Sequence, residues 1–377
     1  MKVKDVLSSK ISEKAPKGFV PYIEIGDIDV VDKTYTLKEK ESVSGAVFAE
    51  KNAILVSTVR PTRGAITILK EDKAAVSGAF AILYPNEEKC LREYLFFQLN
   101  NKKFFEYLGS NSKGATYPTC SKDDIFNYEI IIPSLDEQHK VVSILKLITK
   151  AIAINKKNKE LCDELTKSRF VELFDNDLKN TNRTIGDIAD EATVGIANSA
   201  THAYTDSGVV MLRNQNIRIN YLDDSDLIYI KQSFADKYKN KALKENDILI
   251  TRTGANIGMA CLVPQKYEGC QTFTTLILRL KEDISIKPSF VCRYLNSPYG
   301  YDYIHENMVG GAQPNFGAKQ LVQMPICIPE EAKQNEFERF IKQIDKSKYI
   351  CQKKIELYQE LLDKKMDEYF NPKENEA

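Results

Sequence analysis

Tryptophan is absent from the chain and histidine occurs three times. The eight cysteines (Cys90, Cys120, Cys162, Cys261, Cys270, Cys292, Cys327 and Cys351) are scattered, and no C-x-x-C pair occurs among them. Zinc-ligand spacing is therefore missing, and the thiols read as buried groups in a reducing compartment. The longest apolar runs, such as VVSILKLI near Val141, fall far short of the roughly 18 residues that span a bilayer. The opening Met1-Lys2-Val3-Lys4-Asp5 resembles no signal peptide, so a cytoplasmic protein is expected. Net charge is zero, with 53 basic and 53 acidic side chains. That argues against nucleic acid held by bulk attraction alone, although a neutral chain can still segregate basic groups onto one face.

Catalytic signatures are missing as well. There is no G-x-x-x-x-G-K-[ST] phosphate loop, so ATP hydrolysis is not encoded. The Asn/Asp-Pro-Pro-aromatic tetrapeptide of amino-methyltransferases is absent, the one Asn-Pro being Asn371-Pro372 in a polar tail. Carboxylate-lysine fragments such as Glu87-Glu88-Lys89 are too common to mark a nuclease, and neither His139 nor His202 has a Ser or Cys partner nearby in sequence. The chain reads as a recognition protein without an enzyme of its own, and no metal site is expected.

What the sequence does contain is a repeat at an offset of about 196 residues. Pro133 to Phe174 lies without a gap on Pro329 to Phe370, matching Gln138 with Gln334, Ile148 with Ile344 and Lys157 with Lys353. It also matches Glu160-Leu161 with Glu356-Leu357 and Glu164-Leu165 with Glu360-Leu361. About a dozen of some forty positions are identical, against roughly one in twenty by chance. At the same offset GATYPTCSKDDIFNYEIIIP (Gly114 to Pro133) covers GGAQPNFGAKQLVQMPICIP (Gly310 to Pro329). Upstream, NAILVSTVRPTRGAI echoes NDILITRTGANIGMA with an offset that slips by about two, as a surface-loop indel produces.

Each copy ends in a helix-forming segment free of internal Pro and Gly. Apolar residues recur at Val141, Leu145, Ile148, Ile152, Leu161, Leu165 and Phe174 in the first. In the second they recur at Phe337, Ile341, Ile344, Cys351, Ile355, Tyr358, Leu362, Met366 and Tyr369. Forty residues make a rod of about 60 Å, too long to bury its stripe in one ordinary domain. The two copies are expected to pair as an antiparallel coiled coil, with Asn155 and Lys348 as polar interruptions that fix register. A spacer or dimerisation arm is the competing use of such helices.

Before each rod, short strands such as Tyr22 to Ile28, Ala53 to Val59 and Ala79 to Pro85 alternate with Gly, Pro, Asn and Asp. This pattern predicts a mixed, curved β platform, with one short amphipathic helix near Tyr94 to Leu108 and its match at Phe290 to Tyr303. Polar and basic residues collect in the loops. The first half offers Thr58, Arg60, Arg63, Lys113, Thr116 and Tyr117; the second offers Arg213, Asn214, Asn216, Arg252, Thr253, Asn256, Gln313 and Asn315. Arg, Asn, Gln and Thr hydrogen-bond base edges, and glycine lets backbone amides approach phosphates.

The paired segments GATYPTCSKDDIFNYEIIIPSLDEQHKVVSIL and GGAQPNFGAKQLVQMPICIPEEAKQNEFERFI resemble the Gly-rich loop, strand, proline and Glu/Gln-led helix of type I restriction-modification specificity subunits. The resemblance runs from Val3 to Phe370, with Asp136-Glu137-Gln138 and Lys333-Gln334 departing slightly from the usual Glu-Gln pair. It implies an α+β protein with an internal pseudo-two-fold duplication, in which two mixed β-rich target recognition domains are separated and held by two long helices. The corresponding domains are residues 1–133 and 177–329, the helices 134–176 and 330–372, and the tail 373–377.

The resemblance further implies double-stranded DNA with a bipartite, asymmetric site, and two copies of a methyltransferase subunit docked on the helices. Their interface would include Val141, Leu145, Ile148, Ile152, Phe337, Ile341, Ile344, Ile355 and Leu362. A translocase/nuclease subunit would add restriction, and S-adenosylmethionine, ATP and Mg2+ would sit on the partners. A system with a fused nuclease-methyltransferase partner, and a coiled-coil scaffold that binds no DNA, are the alternatives at this point.

Overall fold

A computed structural model describes residues 1–10, 13–15, 18–41, 44–197, 200–311 and 314–371. The chain forms two compact units, residues 1–157 with 351–377 and residues 158–350. Both are mixtures of helix and sheet.

In the first unit Ile54–Ser57 is the centre of a three-stranded antiparallel sheet, flanked by Ile66–Ile68 and Phe80–Leu83. A second sheet orders Lys38–Glu41, Phe19–Ile23, Lys73–Val76 and Val47–Glu50, with one parallel pairing that sets Tyr22 against Ala75. The second unit repeats both designs. Ile248–Ile250 lies between Ala260–Leu262 and Leu276–Leu280, and Val209–Leu212 makes the one parallel pairing of its sheet, Met211 against Gln271. The mixed β platform expected from the sequence is present in both units.

After the strands come α1 (Arg92–Leu99), α2 (Lys102–Ser110) and α3 (Lys122–Asn127). The second unit carries the short α5 (Ile185–Ile188) and α6 (Gln232–Lys237), then α7 (Pro288–Leu295), α8 (Pro298–Glu306) and α9 (Ala318–Val322). The single helix expected near Tyr94 to Leu108 is thus two helices, as is its match. The break is chemical: Asn101 accepts a hydrogen bond from the Phe104 amide at 3.0 Å and Ser297 from the Gly300 amide at 3.3 Å. These short polar side chains cap a new helix where an unbroken one was expected.

The two long helices are α4 (Leu135–Leu178, 44 residues) and α10 (Glu331–Phe370, 40 residues). Ser134 and Glu137 form a capping box at the entry to α4, the hydroxyl and carboxylate lying 2.7 Å apart. That hydroxyl holds the Glu137 carboxyl below its ordinary pKa. Residues up to Lys157 of α4 and from Cys351 of α10 belong to the first unit, the remainder to the second.

In the first unit Val142 and Leu145 of α4 and Met366 and Phe370 of α10 join one core with α1, and Phe370 meets Tyr94 edge to face at 5.3 Å. In the second, Phe170 and Phe174 of α4 and Phe337 and Ile341 of α10 join one core with α7, and Phe174 meets Phe290 at 4.8 Å. Within this unit the helices run antiparallel, as the pairs Asp163–Lys348, Arg169–Glu336 and Asp177–Lys333 require.

Of the interface residues expected from sequence, Leu145, Ile148, Ile152, Phe337, Ile341 and Ile344 are buried, and Val141, Ile355 and Leu362 half-buried. Leu161 and Leu165 depart from the expected stripe. They are 47% and 53% exposed, and the buried positions between Asn155 and Phe174 are instead Thr166 and Phe170. Both leucines fall one residue short of the stripe, since steps of three and four from Leu145, Ile148, Ile152 and Asn155 reach Cys162 and Thr166.

Gln138 and Gln334 fix each long helix to its unit. Gln138 Oε1 accepts from the Leu91 amide at 2.8 Å, and its Nε2 donates to the carbonyls of Lys89 and Pro133, both at 3.0 Å. Gln334 makes the same three bonds, to Lys287 at 2.7 Å, Ser285 at 3.1 Å and Pro329 at 2.7 Å. Both side chains are buried. Gln138→Ala leaves three backbone groups without their partner and is expected to cost about 3 kcal/mol, so that the Leu91 amide exchanges with solvent deuterium roughly a hundredfold faster. Unchanged protection at Leu91 would show that the glutamine does not hold the helix.

Candidate nucleic-acid interface

Each unit presents two loops side by side, built on one backbone plan. In the first, Val59 bridges Thr119, Thr119 bridges Lys113, and the Cys120 amide donates to the Thr58 carbonyl at 3.0 Å. In the second, Thr253 bridges Asn315, Asn315 bridges Val309, and the Phe316 amide donates to the Arg252 carbonyl at 3.0 Å. The Gly-rich turn needs a left-handed residue in both copies, Gly114 at φ +99° and Gly310 at φ +104°. A Cβ at Gly114 would lie 3.0 Å from the Tyr117 carbonyl oxygen, which adds a close contact to the strain of the left-handed backbone.

The side chains on this shared frame differ. Arg60 occupies a left-handed position (φ +46°, ψ +53°) whose counterpart is Gly254 (φ +85°). Its guanidinium lies 4.3 Å from the centre of the Tyr117 ring, and its amide donates to the Pro118 carbonyl at 2.7 Å. Tyr117 is 64% exposed, and Arg63, Lys113 and Thr116 are exposed beside it. The first unit therefore gathers three cations and an aromatic ring at one loop pair. This is a surface suited to phosphates and base faces.

The second unit gathers amides and one guanidinium. Arg252 Nε donates to Asn315 Oδ1 at 3.0 Å, and Asn214 Nδ2 donates to Thr253 Oγ1 at 3.1 Å. The Nε bond fixes the plane of the Arg252 fork, the geometry that matches a guanine edge. Asn256 is half-buried in the same loop, with its carbonyl accepting from the Met259 amide at 3.1 Å.

Three expected contact residues are engaged by the fold instead. Thr58 is buried and its hydroxyl donates to the Ala79 carbonyl at 2.7 Å. Asn216 is buried and closes a 3₁₀ turn, accepting from the Arg213 amide at 2.9 Å and donating to the carbonyls of Asp223 and Asp226. Arg213 is tied to the Asp226 carboxylate at 2.9 Å and carbonyl at 3.0 Å, while its Nε is buried without a partner among the described residues. These polar residues sit next to strand ends, where capping and base contact have the same composition and sequence does not separate them. Gln313 lies outside the described residues. The partners that lock Arg213 and Arg252, Asp226 and Asn315, were not legible as such, because each lies across a loop of undefined path.

Among the described residues no group of three His, Cys, Asp or Glu side chains could hold a metal ion. No described helix is long and apolar enough to cross a membrane.

A family model described as the type I restriction modification DNA specificity domain matches the chain twice, over residues 1–162 and 178–359. The MjaVIII type I restriction enzyme specificity subunit of Methanocaldococcus jannaschii is 22% identical over 348 residues, 87% of this chain and 80% of that protein. The MjaIX subunit of the same organism is 27% identical over 173 residues, 46% of this chain and 39% of its own length. The HindI subunit of Haemophilus influenzae is 26% identical over 129 residues, 33% of this chain and 28% of its own. With these last two the matched stretch thus spans less than half of the relative. In fold, the chain is similar to the S subunit of a type I restriction-modification system from M. genitalium, with a TM-score of 0.59 at 12% identity, covering 99% of this chain and 96% of that one. A structure from work on complex assembly and conformational transition of the type I R-M system gives 0.59 at 16% identity, over 98% and 96%.

Because Gly254 holds the place of Arg60, Arg60→Gly should fold. Relief of the left-handed backbone and loss of the ring contact oppose one another, leaving stability within about 1 kcal/mol of the parent in a denaturant titration. A loss well beyond that would make Arg60 a structural residue.

Proposed function

The chain belongs to the type I restriction-modification DNA specificity family, and from that membership we propose that it directs its enzyme to a bipartite DNA site, one loop pair per half-site. The observation that carries this reading is the equivalence of the two loop pairs in backbone together with their difference in side chains. Two identical surfaces would read a symmetric site. Cations and Tyr117 on one unit, and Arg252, Thr253 and Asn315 on the other, suit two unlike sequences. The contacts are assigned to Arg60, Arg63, Lys113, Thr116 and Tyr117 in the first unit and to Asn214, Arg252, Thr253, Asn256 and Asn315 in the second. The two long helices act as an antiparallel coiled-coil spacer within a pseudo-two-fold molecule.

The exposed leucines suit the partners. Leu161 matches Leu357 and Leu165 matches Leu361 across the repeat, yet all four are exposed, at 47%, 61%, 53% and 38%. An apolar position that is repeated but not buried fits a surface used twice, once by each of two methyltransferase subunits. The chain itself is non-catalytic in this scheme and acts in the cytoplasm. S-adenosylmethionine, ATP and Mg2+ belong to the methyltransferase and translocase/nuclease subunits.

With the reconstituted methyltransferase complex and randomised duplexes, Arg252→Ala is expected to weaken binding by about 1–3 kcal/mol and to relax one position in one half-site. Arg60→Ala should act on the other half alone. Unchanged affinity and preference in Arg252→Ala would remove it from the interface. For the partners, native mass spectrometry of Leu161→Glu is expected to show one methyltransferase copy where the parent holds two. Two copies on both would place docking elsewhere.

A further inference from the structure

Within the second unit a groove of about 1150 Å³ opens between the later turns of α4, the α7–α8 corner and the hairpin turn around Arg218 and Tyr221. Its wall is mainly apolar, with Phe170 and Met259 lining it and Val171, Ile219, Tyr221 and Tyr301 exposed around it. A concave apolar surface of this size with a few polar groups is the usual form of a small-molecule site.

Arg293 of α7 also lines the groove and is half-buried. Of the other cations lining it, Arg218 pairs with Asp223 at 3.1 Å and Lys348 with Asp163 at 2.6 Å, while Lys167 is exposed to solvent. The Arg293 guanidinium has no hydrogen bond and no carboxylate within ion-pair distance among the described residues, Asp163 and Asp345 acting on it only at longer range. Burial accordingly lowers its pKa from the usual guanidinium value. A half-buried guanidinium in an apolar wall, with no anion beside it, is partly desolvated and would gain from a planar anion.

The repeat shows that the fold does not require it. Arg293 falls on Phe97 of α1 and Lys348 on Ile152 of α4, and both apolar counterparts are buried in the first unit. Where one copy packs carbon, the other keeps a lined groove and an unpaired cation.

We propose that this groove binds an organic anion with an aromatic body, its carboxylate or sulfonate held by Arg293 and its body laid against Phe170, Met259 and the Tyr221 and Tyr301 rings. Planar bidentate pairing suits the guanidinium, and the apolar wall supplies the remainder of the affinity. Glu172 does not compete for the cation, since it pairs with Arg169 at 2.8 Å. Asp302 is exposed.

The test uses the full-length chain and 8-anilinonaphthalene-1-sulfonate as the fluorescent probe. Saturable binding of one equivalent is expected, with 1-naphthoate displacing the probe at least tenfold more effectively than the neutral 1-naphthamide. Arg293→Met should weaken the probe at least tenfold without lowering the melting temperature, and Arg293→Phe, which copies the sister position, should abolish binding. Absence of saturable binding, equal displacement by the acid and the amide, or parental affinity in Arg293→Met would each overturn the proposal. The comparison of acid with amide is made on the parent chain and is independent of how any variant folds.

Discussion

Two buried carboxamides hold this architecture together. Gln138 and Gln334 each present one acceptor and two donors, and in both units all three find backbone partners at 2.7 to 3.1 Å. A polar group this deep is tolerable only when fully paired, so the position of each long helix against its unit is tightly constrained. The partners are main-chain atoms, which makes the bond indifferent to neighbouring side chains: Lys89 and Leu91 serve in one copy, Ser285 and Lys287 in the other. Sequence around the glutamine can drift while the joint persists.

The same separation of backbone from side chain governs the loops. The bridges Val59–Thr119 and Thr253–Asn315 are main-chain pairings, and the left-handed turns at Gly114 and Gly310 are set by backbone sterics. Arg60 and Gly254 share one conformation but no chemistry. A frame specified by main-chain bonds can present a cationic, aromatic face on one unit and a fork of amides and guanidinium on the other. The price is local strain at Arg60, the one left-handed non-glycine among the described residues of the two loop pairs.

Much of this was legible from sequence because the repeat is gap-free from Gly114 to Phe174. The strands, both rods and the entry prolines follow from periodicity and from Pro and Gly placement. The identity of Gln138 and Gln334 was visible, but its meaning was not, since sequence does not say whether a polar residue near a helix start faces water or backbone. Leu161 and Leu165 misled because they are apolar, whereas steps of three and four from Leu145, Ile148 and Ile152 reach Cys162 and Thr166 and leave these leucines facing outward. Thr58, Arg213 and Asn216 misled for a different reason. Their chemistry suits base edges and loop closure equally, and only the path of the chain assigns them to closure.

Whether one duplicated scaffold carries two unlike recognition surfaces is read out by adenine-methylation sequencing of the host genome with and without this gene. Two unlike surfaces should give one gene-dependent motif made of two different half-sites separated by an unspecified gap, with one methylated adenine in each. A gene-dependent motif that is continuous, or whose halves are identical inverted copies, would contradict it.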